Sequence, residues 1–437
     1  MADQTRDRPQ GAIPQPAGHQ VARPERPVRL RRRQGGPQLE TGHGPRNLRR
    51  SGDPRRRSVV NGWASGTMTA GTAPPRTLLH VFSTLNVGGP QVRFATIANK
   101  LGGGFRHLLF AMDHGYEATK LLAPDALCEI HDIAYRKGRA ARSFFTFRRA
   151  LNTLRPDVLV TYNWGAIEWA LANFGRACPH IHIVDGFGPE EADRQLPRRV
   201  QFRRLVLRRN TTVMVPSHTL EDIVTGVWRL DPAAVTYIPN GIDYARFSIP
   251  RDEALARRYG IDPDMTVIGT VAALRPEKNL ERLLLAFRAM PESDKLRLII
   301  VGDGPERAPL EASAAQHGLS DRVIFTGYQS DPAAILSLFD IFTLSSDTEQ
   351  MPISVLEAMA AGLPIAGVDV GDVRHIVAPG NKPQIVARDA ERLGQVLSEF
   401  AADPDLRHRI GAENRQHVKD VYDEATMVSA YAQLFSI

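Results

Sequence analysis

The sequence predicts an α/β protein with two doubly wound domains facing across a cleft, preceded by a disordered tail. Three observations predict it. From Thr77 onward, short β-branched runs alternate with amphipathic helical patterns, as in parallel sheets wrapped by helices. The turn-rich stretch YIPNGIDYARFSIPRDEALARRYGIDPDM interrupts that alternation, and a fresh set of strands follows it. A chain of 437 residues is also long enough to bury two cores.

The net charge of +7 is unevenly placed. Residues 1–67 hold 14 arginines, no lysine and 5 acidic residues, or +9, which leaves −2 for the rest. The basicity therefore belongs to the tail and not to the folded part. Runs such as RLRRRQGG and DPRRRSVV, with many prolines and glycines, carry too little apolar surface to fold. Residues 1–76 read as a disordered extension, with residues 1–67 lying upstream of a start at Met68. A nucleic-acid or membrane-surface arm and an organelle transit segment are the alternatives for it, and nucleic acid is not the expected partner. The two cysteines, Cys128 and Cys178, provide neither a disulfide framework nor a metal-ligand spacing, which fits a reducing cytoplasm. No apolar run reaches the ~18 to 20 residues of a membrane span, and the hydrophilic N-terminus lacks a signal-peptide core.

Residues 77–242 form the first domain, with strands expected in TLLHVFSTL, RHLLFAM, DVLVTYNW, HIHIVDG and TTVMVPS. Residues 243–419 form the second, with TVIGTVAAL, LRLIIVGDG, RVIFTGY, DIFTLSS and PIAGVDV. Stretches such as NLERLLLAFRAM and DAERLGQVLSEFAA supply the helices, and residues 420–437 end the chain on one more, DEATMVSAYAQLF. Ligand is expected where strand carboxyl ends meet the cleft.

Five segments there carry candidate chemistry. In STLNVGGPQVRFATIANKL, Gly88 and Gly89 join a strand to a helix opened by Pro90, a turn whose amides can approach a phosphate closely. Neither the Rossmann G-x-G-x-x-G nor the Walker pattern is present. In HIHIVDGFGPEEAD, Asp185 follows a strand and should sit at the cleft edge, as a turn residue or a functional one. His182 is as compatible with a satisfied buried histidine as with a catalytic one. RRVQFRRLVLRRN clusters six arginines between Arg198 and Arg209 around an apolar stripe. It reads as a solvated face, or as a patch for anionic lipid or a phosphate-bearing acceptor. In VAALRPEKNLERLL, Arg275 and Lys278 lie between a strand and a helix capped by Asn279, well sited for an anion. GDGPERAPLE is a similar strand-to-helix turn.

The fifth segment is SSDTEQMPISVLEAMAAGLP. Pro352 suits the first turn of a helix running to about Ala361, and Gly362 suits its left-handed cap, with Pro364 beyond. The helix is apolar on nearly every face, yet carries Glu357, whose i±3 and i±4 neighbours are Ile353, Ser354, Ala360 and Ala361. A buried unpaired carboxylate costs several kcal/mol unless it meets a distant cation or a donor such as a sugar hydroxyl pair. Glu349, just before the helix N-terminus, is favoured there by the helix dipole in any case.

Together these segments resemble the retaining glycosyltransferases of family 4. The features are PNGID at Pro239–Asp243, RPEKN, VGDGPERAPLE, VIFTGY and, above all, SSDTEQMPISVLEAMAAGLPIA with its two glutamates separated by seven residues. The resemblance implies the glycosyltransferase-B fold: two Rossmann-like domains, with the C-terminal helix crossing back to the first. It implies that Glu357 binds the donor ribose and that Glu349 lies near the donor sugar and phosphates. Lys278 and the Gly88–Gly89 turn would bind the diphosphate, assisted by Arg275, with Met351, Pro352 and Ile353 lining the pocket. Asp185 falls near the position of a family histidine. Other departures are Ala273 for an arginine, Gln350 for a glycine and His375 for an acid. The implied partners are a nucleotide-sugar and a saccharide or lipid-linked acceptor, with no metal or other cofactor. A sugar-nucleotide epimerase or phosphorylase of the same fold, and a nucleic-acid-binding protein acting through its tail, are the competing readings.

Overall fold

A computed structural model describes residues 74–437, apart from 136–139, 176 and 192–193. The expectations about residues 1–73 of the tail therefore lie outside the described residues, and Arg76, placed in that tail, instead opens the first strand. Two all-parallel sheets organise the described chain. The first is built from β1 (Arg76–Phe82), β2 (Phe105–Ala111), β3 (Cys128–Ile130), β4 (Val158–Tyr162), β5 (His180–Ile183), β6 (Thr211–Val215) and β7 (Val235–Tyr237), in the order β3-β2-β1-β4-β5-β6-β7. The second contains β8 (Thr266–Val271), β9 (Leu296–Val301), β10 (Val323–Gly327), β11 (Ile341–Leu344), β12 (Ile365–Val368) and β13 (Ile385–Val386), in the order β10-β9-β8-β11-β12-β13.

The apolar runs take these places because helices cover both faces of each sheet, so a central strand is buried along its whole length. In β4 all five residues are buried, and Leu79 of β1 sits in register with Leu108 on one side and Leu159 on the other. The ten expected strands are all present. The sequence reading missed three, β3, β7 and β13, each two or three residues long and each at a sheet edge. So short a strand leaves no periodic pattern to read.

Strand order reverses between β1 and β4 in the first sheet, and between β8 and β11 in the second. Doubly wound sheets open a crevice at such switch points. Gly88–Gly89 follows β1, the Arg275–Lys278 turn follows β8, and the Ser345–Met351 loop follows β11, so chain order alone brings the candidate segments to the two crevices.

The helix Glu424–Phe435 packs Met427, Tyr431, Leu434 and Phe435 into the core around Leu78, Phe82 and Phe94 of the first half. Its entry is fixed at Ile242, which donates to the Tyr422 carbonyl at 2.8 Å and bridges Asp423.

Candidate active site

The turn after β8 and the loop after β11 converge on one ion pair. Lys278 closes a short 3-10 turn (Pro276–Lys278), after which Asn279 adopts a left-handed conformation and its side chain accepts from the Arg282 amide. Lys278 Nζ reaches Glu349 Oε1 at 2.6 Å, and Ser346 Oγ donates to the same oxygen at 2.7 Å. The loop carrying Glu349 is anchored at Asp347, which receives Asn279 Nδ2 at 2.9 Å and Arg282 Nη2 at 2.6 Å. Charged hydrogen bonds of this kind fix geometry as well as sign. Arg275 is not drawn in. Its guanidinium is 62% exposed and meets only Glu277, at 4.0 Å.

The floor of this half depends on backbone contacts that exclude side chains. Gly302, at φ +137°, would place a Cβ 1.8 Å from the Ala272 carbonyl oxygen, and the strand-to-helix turn of GDGPERAPLE is thereby locked against the turn after β8.

The apolar helix spans Ile353–Ala360, one residue shorter at each end than the sequence suggests. Pro352 precedes the first turn as the extended N-cap residue, because its ψ of 118° keeps it out of the helix. Gly362 takes the left-handed conformation at φ +80°. Glu357 is half-buried, and no side chain among the described residues hydrogen-bonds or ion-pairs with its carboxylate. Burial pushes its carboxyl up to about 7, partly offset by Arg246 and reinforced by Asp331.

Across the cleft, Gly88 is the extended N-cap of the helix Gly89–Leu101, and a Cβ on Gly89 would lie 3.9 Å from Ile353 Cδ1. The glycine turn of one half thus faces the start of the glutamate helix of the other. Met351 is the joint between them: its carbonyl accepts from Asn240 Nδ2 at 2.9 Å. Asn240 Oδ1 in turn accepts from Arg93 Nη1 at 2.9 Å, and the other arm of Arg93 is ion-paired with Asp185. Burial acts to lower the Arg93 pKa, but Asp185 and the nearby tyrosines outweigh it and raise it. Asp185 Oδ2 is buried without a hydrogen-bond partner, and its backbone amide is held by Asn163 Oδ1 at 2.7 Å.

Sequence reasoning missed Arg93, Asn240 and Asp372. Arg93 had a readable signal, a lone cation on the buried face that also holds Phe94 and Ile97. Asp372, three residues before His375, makes the cross-cleft contact on that segment. Its oxygens accept from the His218 amide at 2.6 Å and from the Thr219 amide and hydroxyl at 2.9 and 2.6 Å. His375 only lies edge-on to the His218 ring at 5.9 Å. His182 is a structural histidine. It is buried, shares Thr161 Oγ1 with His180 at 2.8 Å from each ring, and burial holds its pKa well below the usual range.

The arginine-rich helix, Pro197–Leu207, is largely occupied with the fold. Arg203 is buried and clamps the buried Glu191 with both arms, Arg199 pairs with Glu190 and Glu191, and Arg204 donates to the Val227 and Trp228 carbonyls. Arg198, Arg208 and Arg209 remain exposed. Among the described residues no helix is long and apolar enough to cross a membrane.

With this geometry in place, comparison with known proteins is specific. The family model described as Glycosyltransferase Family 4 matches residues 87–246, and that described as Glycosyl transferases group 1 matches residues 252–417. Among curated relatives, the 2-deoxystreptamine N-acetyl-D-glucosaminyltransferase of Streptomyces fradiae is 29% identical, over 62% of this chain and 71% of its own. The N-acetyl-alpha-D-glucosaminyl L-malate synthase of Bacillus anthracis is 26% identical over 41% of this chain, a match spanning about half (48%) of that enzyme. Among solved structures, Anabaena HepE in complex with UDP superposes with a TM-score of 0.70 at 19% identity, covering 82% of this chain and 99% of that one. At that identity the likeness establishes the glycosyltransferase-B fold.

Proposed function

The chain belongs to the family 4, group 1 glycosyltransferases, and from that premise we propose that it moves a sugar, with retention at the anomeric carbon, from a UDP- or GDP-sugar to an acceptor hydroxyl. The observation that carries this reading is the convergence of Lys278, Glu349 and the unpaired Glu357 opposite the Gly88–Gly89 turn.

Each group then has a chemical task. Glu357 accepts hydrogen bonds from the ribose hydroxyls, which relieves the cost of a half-buried carboxylate. Lys278 and the amides of Gly88 and Gly89 stabilise charge on the departing diphosphate, an electrostatic role that a metal would otherwise fill. Arg275, exposed beside Glu277, would have to swing inward to reach the same phosphates. Glu349 orients the Lys278 ammonium and borders the transferred sugar, while Met351, Pro352 and Ile353 form the apolar wall. Asp185, held by Arg93, keeps its second oxygen buried and unpartnered near the cleft. The bond from the anomeric carbon to the diphosphate breaks as the acceptor oxygen attacks from the same face, and the acceptor proton passes to the leaving phosphate. Closure of the halves excludes water from that step.

The same reading puts the enzyme in the cytoplasm, in the synthesis of envelope polysaccharide, lipopolysaccharide or glycolipid. Arg198, Arg208 and Arg209, with Leu205 61% exposed beside them, support peripheral contact with the membrane. The test is to screen the full chain against UDP- and GDP-sugars by ligand-observed NMR, then measure acceptor-dependent nucleotide release. Binding of at least one donor, lost in Lys278→Ala and Glu357→Ala, is the expected result. Unchanged donor affinity in either variant would overturn the site assignment.

A further inference from the structure

Beside Glu349 the two halves enclose a cleft of about 750 Å³ whose polar lining has an unusual balance. Four carboxylates border it, and each is already neutralised. Glu191 is clamped by Arg199 and Arg203, Asp347 by Arg282, Glu349 by Lys278, and Asp369 by Arg374 at 2.7 Å. None of those five cations lines the cleft. Three arginines do line it: Arg194 and Arg204 from the first half and Arg388 from the second. Among the described residues none of the three has a carboxylate partner. Arg204 and Arg388 donate only to backbone carbonyls, and Arg194 is exposed. With those carboxylates paired, the three arginines are the cleft's uncompensated charges, contributed from both walls, next to the carboxylate placed nearest the transferred sugar.

We infer that this cleft binds an acceptor carrying a phosphoryl group, held between Arg194 on the first half and Arg388 on the second. The inference rests on the transferase reading and names the acceptor class for it. Guanidinium groups match phosphate oxygens two at a time, so an anion between the walls is both bound and oriented. A neutral acceptor would leave the three arginine charges uncompensated, and a cationic one would be repelled.

The experiment uses the full chain saturated with the donor nucleotide, so that the diphosphate site is occupied. Inorganic phosphate is titrated in and followed by phosphorus NMR on wild type and on an Arg194→Gln/Arg388→Gln double variant. Binding by the wild type, weakened about tenfold or more in the variant, is expected. No binding, or equal binding by both proteins, overturns the inference. Transfer is then compared within two pairs, glycerol 3-phosphate against glycerol and a prenyl-diphosphate-linked sugar against the free sugar. Preference for the first member of either pair supports the inference, and which pair responds separates a soluble phosphate ester from a lipid-linked one. Preference for the neutral members overturns it. A variant whose donor KM rises while its acceptor KM stays fixed also overturns it, by returning the arginines to the donor site. Failure of every nucleotide-sugar to bind would be a different result, and would count against the proposed function itself.

Discussion

Replacing Glu357 by Gln should remove a pH dependence that the fold builds into the site. Burial lifts this carboxyl from an ordinary 4.5 to about 7. A raised folded-state pKa means that the folded protein holds the proton more tightly than the unfolded chain. The associated stability is fully present below about pH 4.5 and is lost as pH rises through about 7. The shift of some 2.5 pH units corresponds to about 3 kcal/mol. Relative to Glu357→Gln, the wild type should therefore lose about 3 kcal/mol between pH 4.5 and 8. Donor binding should run the opposite way. A carboxylate accepts from ribose hydroxyls better than a carboxylic acid, so affinity should rise up to tenfold per unit toward pH 7 and then level off. Urea unfolding at pH 5 and 8, paired with calorimetry of the bound nucleotide at the same pH values, reads both effects. Taking the difference between the two proteins removes the contribution of every other titrating group. Parallel pH profiles for wild type and Glu357→Gln would refute the reasoning, because they would mean that the carboxyl is hydrated like any surface glutamate.

Three further outcomes follow from single contacts. Lys278→Ala should weaken UDP or GDP binding by about 10- to 100-fold, the loss of one charge-assisted contact, with calorimetry as the check. Arg93→Ala should destabilise the fold by about 3–5 kcal/mol, because it strands the Asp185 carboxylate in a buried site. Adding Asp185→Asn should recover part of that loss in urea unfolding, whereas a double variant no more stable than the single one would count against the pairing. Gly302→Ala should lower the melting temperature by several degrees, since its Cβ would sit 1.8 Å from the Ala272 oxygen, and Gly103→Ala, which meets nothing within 4 Å, should leave it unchanged.

What the sequence revealed and what it hid divide along one physical line, the distance in the chain between interacting groups. The glutamate helix was legible because its evidence is local: an apolar face, no cation within one turn of Glu357, a glycine and a proline at its end. Long central strands were legible for the same reason, and the short edge strands at Cys128–Ile130, Val235–Tyr237 and Ile385–Val386 were not. The arginine-rich helix misled because its neutralising groups lie outside its own period. Arg203 finds Glu191 12 residues upstream, and Arg204 finds carbonyls 23 and 24 residues downstream. Arg93 and Asp185 are 92 residues apart, so each looked like an isolated charge.

Gln350 shows how such distance changes the meaning of a departure from a family pattern. Alone, a glutamine where the pattern has glycine suggests a crowded donor loop. In the fold its Cγ lies 3.3 Å from the point where a Cβ on Gly186 would stand, and Gly186 has φ +151°. The space for the glutamine is therefore opened by a glycine 164 residues earlier, on the opposite wall. The backbone of the glutamine is fixed independently: its carbonyl accepts from the Asp372 amide at 2.9 Å, where Gly371 leaves room for the approach. One glycine thus makes room for the side chain and a second for the backbone that carries it. The Gln350 side chain is set against the first half of the chain. The side-chain oxygen of Gln350 is nevertheless buried without a protein partner among the described residues. A polar atom left so in a cleft wall is costly, and such atoms are most readily tolerated where a ligand satisfies them. Residue 350 therefore leaves a buried, unpartnered amide oxygen in the wall of the cleft that Arg194 and Arg388 also line.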